Sequence, residues 1–379
     1  MPWREVSRVE SRRLFVHGCR SGRWSIAQGC RRFGISRRTG HKWLSRFAAE
    51  GEAGLEDRSR SPRRVSYATS PPVEAALVAL RQQHPYWGVR KLRTLLERQG
   101  LAAPAERTAN RILKRHALVS PRESSPEPLQ RFERSQPNAL WQMDHKQAVH
   151  GRWARRSVPL VVLDDASRYL LGLRSLTDKG LAATWEALWD IFGEFGLPES
   201  MLSDNDAVFH GRCGPSQLEV RLMRLGIHVL HGRPYHPQTQ GKVERLNGTL
   251  QREVLQHGRF VSSAELQSGY DAFRQRYNFE RPHEALSLAV PASRYEPSSR
   301  RRPPRLPAME YPSGVVLRRV QKNGWMSWRG DTLAVGEGLC GEQVEVREAE
   351  QGLEIYYGPF RLMGLPPDGQ SKRRRRGGN

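Results

Sequence analysis

Three acidic residues stand where ordinary surface charge does not account for them. Asp144 lies in the middle of the strand-like run WQMDHK, Asp204 closes the run SMLSD, and Glu244 sits in HPQTQGKVERLNGTL. In that last segment Val243, Leu246, Leu250 and Val254 recur at helical spacing. On a helix turning about 100° per residue, Glu244 lies roughly 100° from this seam, at the rim of the buried face. From there a carboxylate reaches across to a sheet edge, and Gly241 and Gly248 carry no side chain to obstruct a sugar-phosphate strand. Acids brought together in this way hold hard divalent cations through oxygen. The matching chemistry is two-metal phosphoryl transfer, in which ions about 3.5–4 Å apart activate the attacking oxygen and stabilise the leaving one. No Ser-His-Asp arrangement and no GxxxxGK[ST] loop appears, so acyl transfer and ATP hydrolysis lack their residues. The second acid has a rival, because the chain reads Asp204-Asn205-Asp206. Asp164 and Asp165 fall between two strand-like runs, where Asx-type hydrogen bonding within a turn is expected of both.

Charge names the partner class. The 379 residues carry 62 Lys and Arg against 39 Asp and Glu, a net +23, while a 37% hydrophobic share still permits packed cores. Such a chain suits a polyanion. Only eight of the 62 cations are lysine, and arginine's planar fork matches phosphate oxygens. No stretch approaches the roughly 20 apolar residues of a membrane span, and MPWREVSRVE lacks the apolar centre of a secretion signal. A cytoplasmic protein without a membrane partner is expected. Cys19, Cys30, Cys213 and Cys340 form no CxxC pair, and although His17 and His41 flank the first two, neither a disulfide framework nor a zinc site is expected.

The elements that must position the acids follow from periodicity. Residues 1–55 read as a helix-turn-helix domain: Ile26, Cys30 and Phe33 form one seam, Gly40, Trp43, Leu44 and Phe47 the next, with a turn at Gly34-Ile35 and Ser36 as N-cap. Arg37, Arg38, His41 and Lys42 on the opposite face suit a major groove, with Arg46 toward the backbone. A basic linker, 56–70, leads to a second helical module, 71–118, of helix-turn-helix or winged-helix type. Its seams are Val73, Leu77 and Leu80, then Val89, Leu92 and Leu96, then Ile112 and Leu113, and Arg107, Arg111, Lys114 and Arg115 face outward. After a Pro-rich linker, 119–137, the texture of 138–295 is α/β: three strand-like runs forming an antiparallel meander, the helix LAATWEALWDIFGEFG with Leu181, Trp185, Leu188 and Phe192 as its seam, the buried strand SMLSD, then helix, strand and two further helices. A Pro- and Arg-rich linker, 296–312, precedes an all-β module, 313–366, expected to be an SH3-like barrel with a hairpin at Asn323-Gly324. There Arg318, Arg319, Trp325, Trp328 and Arg329 either contact DNA or pack the barrel. The tail 367–379, SKRRRRGGN at its end, is too charged to form a core.

The series WQMDHK, VVLDDASRYLLG, LSDND, LGIHV, RPYHPQTQGKVERLNGTL and YNFERPHEAL resembles the catalytic core of DDE transposases and retroviral-type integrases, most of all the IS481 family near IS3. The N-terminal GISRRTGHKWLSRFAAEGEAGLEDRS and the C-terminal β module are similar to flanking parts of that family, so the resemblance covers nearly the whole chain. It implies an RNase H-like core. It also implies two Mg²⁺ ions, with Mn²⁺ as substitute, Asp144 bridging both, Asp204 binding one and Glu244 the other. His236, Gln238, Gln240, Lys242 and Arg245 would flank the scissile strand, with Lys242 and Arg245 on outward sides of their helix.

The activity so implied is cleavage at the 3′ end of an insertion sequence and attack of the freed 3′-OH on target DNA, by a dimer or larger assembly on transposon-end DNA, in a bacterial, nucleoid-associated setting. A catalytically silent DNA-binding derivative and an RNase H-like nuclease are the alternatives. The family pattern of Asp-Asn-Gly at the second acid is replaced here by Asp-Asn-Asp, and the 39 residues between Asp204 and Glu244 exceed the usual spacing. The surplus is assigned to the loop HGRCGPS, where an insertion costs little.

Overall fold

The computed structural model describes residues 7–58, 69–119, 134–146, 149–150, 156–203, 209, 211, 214–231, 241–256, 258–350 and 352–365. The chain divides into two compact units, 1–69 and 70–379.

In the first unit, helices α1 (Arg8–Arg20), α2 (Ile26–Arg32) and α3 (Arg37–Glu50) each begin at a serine whose hydroxyl accepts an otherwise orphaned backbone N–H. Ser25 and Gln28 form a reciprocal capping box. The α2–α3 turn needs Gly34 at φ +63°, and α3 packs closely on α2 because Gly40 has no Cβ: one placed there would lie 2.5 Å from Cys30 Sγ. Phe15, Val16, Cys30, Trp43 and Leu55 form the core, while Leu44 and Phe47 from the expected seam pack only partly buried against it.

The second unit opens with α4 (Pro71–Gln83), α5 (Val89–Arg98) and α6 (Glu106–Arg115), whose expected seams are all buried. The α/β core follows. Strands β1 (Trp141–His145), β3 (Arg156–Asp164) and β4 (Leu170–Leu176) make the antiparallel meander, and β2 (Val149–His150) pairs the start of β3. On the other side of β1, β5 (Ser200–Ser203) and β6 (His228–His231) run parallel, giving the order β4-β3-β1-β5-β6 among the described residues. Helices α7 (Leu181–Phe195) and α8 (Gln217–Arg224) cover one face with Leu188, Phe192, Leu218 and Leu222. The other face is covered by α9 (Gly241–Leu250), which continues as one π-helical turn, and α10 (Ser263–Gln275). A sheet buried on both faces explains why RSVPLVVLDD reads as a continuous apolar run rather than an alternation. In α7 the seam is rotated from expectation: Ile191 and Phe195 are buried, whereas Leu181 and Trp185 are only partly so.

The C-terminal region is β-rich. Strands β7 (Leu317–Arg319), β10 (Gln343–Ala349), β11 (Gly352–Tyr357) and β12 (Phe360–Leu365) form an antiparallel sheet in the order β12-β11-β10-β7, and β8 (Trp325–Trp328) pairs β9 (Asp331–Ala334). Both pack on one core that includes Val220 of α8. The expected hairpin is displaced. Asn323-Gly324 does turn the chain, but β7 pairs β10, and the two-residue hairpin is Arg329-Gly330, both at positive φ as a type I′ turn demands. Residues 296–312, read as linker from composition, lie along the core. The Arg300 guanidinium donates to the Leu225 and Gly226 carbonyls, each at 2.9 Å, and Arg302 stacks 4.6 Å over Trp189.

Candidate active site

Asp144 is the fourth residue of β1, opposite Val161 on β3, and half-buried. Because side chains alternate along a strand, Gln142 and Asp144 point to the α9–α10 face while Trp141 and Met143 join the core under α7. Helix α9 meets it there: Asn247 Nδ2 donates to Asp144 Oδ2 at 2.7 Å. Glu244 is one turn earlier on α9, an i,i+3 neighbour of Asn247, and is exposed. Two of the three expected acids are thus carried by elements bonded to each other. Asp204 and its rival Asp206 lie outside the described residues. Strand β5 runs beside β1 with Trp141 opposite Met201 and Gln142 opposite Leu202, and ends at Ser203.

The donors suit a hard divalent cation. Asp144 and Glu244 supply carboxylate oxygen, and Asn247 Oδ1 is buried with no hydrogen-bond partner among the described residues, a further neutral oxygen on the same side of α9. Among the described residues no group of three His, Cys, Asp or Glu side chains forms a metal site. Half-buried Lys146 stands two residues beyond Asp144; burial lowers its pKa and the Asp144 carboxylate opposes that shift. Space for a strand is present beside Glu244, since a Cβ added at Gly241 or Gly248 would meet nothing within 4 Å.

Two expectations about this region need correction. Lys242 does not face outward: its side chain is 15% exposed and its ammonium meets Asp165 Oδ1 at 2.5 Å. The first turn of α9 is rotated so that position 242 faces the β3–β4 connection and position 245 faces solvent, and Arg245 is exposed as expected. Nor is Asp165 a turn-capping residue. Asp164 is one, accepting from the Ser167 N–H at 2.7 Å and the Ser167 hydroxyl at 2.6 Å. Burial raises the Asp164 pKa and these donors oppose it. Asp165, one residue on, points the other way, into the core, and accepts from Gln142 Nε2 at 2.7 Å. His236, Gln238 and Gln240 lie outside the described residues.

The other basic positions form separate surfaces. On α3, Arg37, Arg38, His41 and Lys42 are exposed, and half-buried Arg46 lies 5.1 Å over the Trp43 ring. On α6, Arg107, Arg111, Lys114 and Arg115 are exposed, although Arg115 is engaged by Glu74, which His116 also meets at 2.8 Å. On β7, Arg318 and Arg319 are exposed, with Arg318 4.9 Å over Trp328. Trp328 is buried in the core of the module, and Trp325 is exposed.

Sequence reasoning missed Asn247 and Asn278. The i,i+3 spacing from Glu244 was a signal for the first. The second lies in the YNFERPHEAL motif: its buried side chain accepts from the Leu170 N–H at 2.8 Å and donates to the Leu170 carbonyl at 3.0 Å, fixing the start of β4. The Arg98 guanidinium of α5 donates to the Glu280 carbonyl of the same motif and to the Leu288 carbonyl just beyond it.

Comparison with known proteins bears on the whole arrangement. Models described as integrase core domain match residues 134–237 and 225–291, and models described as homeodomain-like domain match 7–56 and 39–113. The chain is 27% identical over 226 residues to the insertion element IS407 uncharacterized 31.7 kDa protein of Burkholderia multivorans, covering 58% of this chain and 78% of that one. It is 26% identical over 274 residues to the insertion element IS476 uncharacterized 39.2 kDa protein of Xanthomonas euvesicatoria, covering 71% and 77%. Among solved structures, the HTLV-2 integrase catalytic core domain in complex with magnesium is similar at 16% identity and a TM-score of 0.34, covering 42% of this chain and 98% of that one.

Proposed function

We propose that this chain, which belongs to the IS3-like DDE transposases with an integrase core domain, binds the ends of an insertion element, cuts at their 3′ ends and joins the freed 3′-OH to target DNA. The observation that carries the reading is the Asn247–Asp144 bond, which brings the helix bearing Glu244 onto the strand bearing Asp144. Asp144, Asp204 and Glu244 would hold two Mg²⁺ ions, or Mn²⁺ in their place, with Asp204 rather than Asp206 as the second ligand. When bound, such ions supply Lewis-acid activation of the attacking oxygen and neutralise charge on the leaving one. Since one phosphodiester replaces another, joining draws on no external energy source.

The chain's own residues do the holding. The exposed cations of α3, and of α6 in the second helical module, are read as end-DNA contacts, and Arg245 and the open backbone at Gly241 and Gly248 as the path of the scissile strand. Arg318 and Arg319 of the C-terminal module, which we read as SH3-like, are read as further DNA contacts. At least two copies would act on paired ends, in a nucleoid-associated setting.

A joining assay with labelled end DNA and a plasmid tests this. Strand transfer that needs Mg²⁺ and is abolished by Asp144→Ala, Asp204→Ala or Glu244→Gln, but kept by Asp206→Ala, is the expected result. Binding without cleavage would mark a silent DNA-binding derivative, and cleavage without joining a simple nuclease.

A further inference from the structure

Asp165 lies in the turn between β3 and β4, yet its side chain is fully buried. Its Oδ2 accepts from the Arg134 N–H at 2.7 Å. Its Oδ1 accepts from Gln142 Nε2 at 2.7 Å and from Lys242 Nζ at 2.5 Å, and its carbonyl accepts from the same ammonium at 3.2 Å and from the Arg168 guanidinium. Gln142 is two residues before Asp144 on β1 and shares its face of the sheet. Lys242 is two residues before Glu244 on α9. One carboxylate therefore holds both elements that carry the described acids, each at the same distance along the chain from its acid.

The hold is complementary to the bond at Asp144. Lys242 pins the first turn of α9 to Asp165, and Asn247 pins the second turn to Asp144. Two restraints on successive turns fix both the axial position and the rotation of the helix, and Glu244 lies between them. We propose that Asp165, with Lys242 as its counter-ion, is a positioning residue that sets the separation of Asp144 and Glu244 for cation binding. This rests on the reading of those two acids as ligands. A charged pair suits the task better than an apolar contact, because a buried carboxylate and ammonium are costly in any geometry except the one that joins them. A slipped α9 would pull the two charges apart.

The test compares Asp165→Asn, Lys242→Gln and the double variant with wild type, reading Mn²⁺ binding from the electron paramagnetic resonance of the free ion, alongside thermal melting and end-DNA affinity in EDTA. Each single variant removes one charge of the pair and is expected to weaken Mn²⁺ binding about tenfold or more, the usual scale for residues that orient metal ligands. The neutral double variant is expected to bind within a few-fold of wild type, and end-DNA affinity in EDTA is expected to stay unchanged throughout. Should Asp165→Asn fail to fold, Lys242→Gln, which leaves Asp165 its bonds from Gln142 and Arg134, carries the same expectation. Single variants that bind Mn²⁺ like wild type overturn the proposal, as does a double variant no better than the singles. Wild-type binding indifferent to Asp144→Ala would instead overturn the reading of the acids as ligands.

Discussion

Asn247 donates its side-chain amide to Asp144 Oδ2 at 2.7 Å, so helix α9 is bonded to β1 at the carboxylate proposed to hold the cations. One oxygen of Asp144 is thereby oriented by a neutral donor. Asn247→Ala removes that donor and is expected to lower strand transfer about 10- to 100-fold with end-DNA binding intact. Asn247→Asp sets a second carboxylate against the first and is expected to do worse. Quantified joining at saturating DNA, read against an EDTA binding isotherm, separates the two effects, and normal joining by Asn247→Ala would remove the bond from the mechanism.

What the sequence revealed and what it hid divide along physical lines. The α9 seam of Val243, Leu246, Leu250 and Val254 was legible because helical period and burial coincide there, and all four are buried. The meander was legible because turn residues interrupt apolar runs. The direction of Asp165 was not: at a strand end, neighbouring residues point to opposite sides, and local chemistry cannot say which of two aspartates turns inward. Asn323-Gly324 signalled a turn correctly, but the partner of β7 is set by long-range pairing with β10, which dipeptide preference does not encode. The arginines of 296–312 looked like a solvated linker because composition does not distinguish a guanidinium facing water from one donating to the carbonyls of Leu225 and Gly226.

His283 predicts a pH dependence of stability. Its ring is buried, and burial first, then the nearby cations Arg281 and Lys91, push its pKa down to about 3. The unfolded chain takes up this proton near pH 6.5. Between those values the unfolded state holds more protons than the folded one, so the contribution of neutral His283 is complete above about pH 6.5 and declines as pH falls toward 3, by at most about 1.4 kcal/mol per pH unit. Melting temperatures measured from pH 7.5 down to 5 are expected to fall, and His283→Leu is expected to flatten that slope. Identical slopes in the two proteins would show that another group sets the acid limit.

The α3 face predicts a salt signature. Arg37 and Arg38 are exposed in the first turn of α3, and each that displaces a counterion from phosphate contributes roughly one unit to the slope of log affinity against log salt. Replacing both with alanine is expected to reduce the slope by about two units and to weaken binding to end DNA and to unrelated DNA alike at low salt. Lys42 and Arg46 are kept out of this set because they lie 4.9 and 5.1 Å over the Trp43 ring and their loss would also disturb the core. Fluorescence anisotropy across a salt series measures the slope, and an unchanged value would move the DNA contact elsewhere on the chain.

Gly338 predicts how the C-terminal β module is attached. Just before β10, its backbone passes so close to the start of α8 that an added Cβ would lie 2.3 Å from the Pro215 carbonyl oxygen and 2.7 Å from the Gln217 nitrogen. The neighbouring contact is equally tight, with a Cβ at Gly214 meeting the Val335 carbonyl at 2.0 Å. Backbone on both sides cannot yield as a flexible side chain would, so Gly338→Val must separate the module from α8 or distort both. The expected cost is about 1–3 kcal/mol, the range for overpacking a filled interior, and it falls where Val220 of α8 enters the core of the module. Hydrogen exchange should therefore quicken in peptides covering 215–222 and 335–346 while the amides of β1 and β3 keep wild-type protection. Equal protection in all four segments would mean that the module tolerates a side chain at this contact.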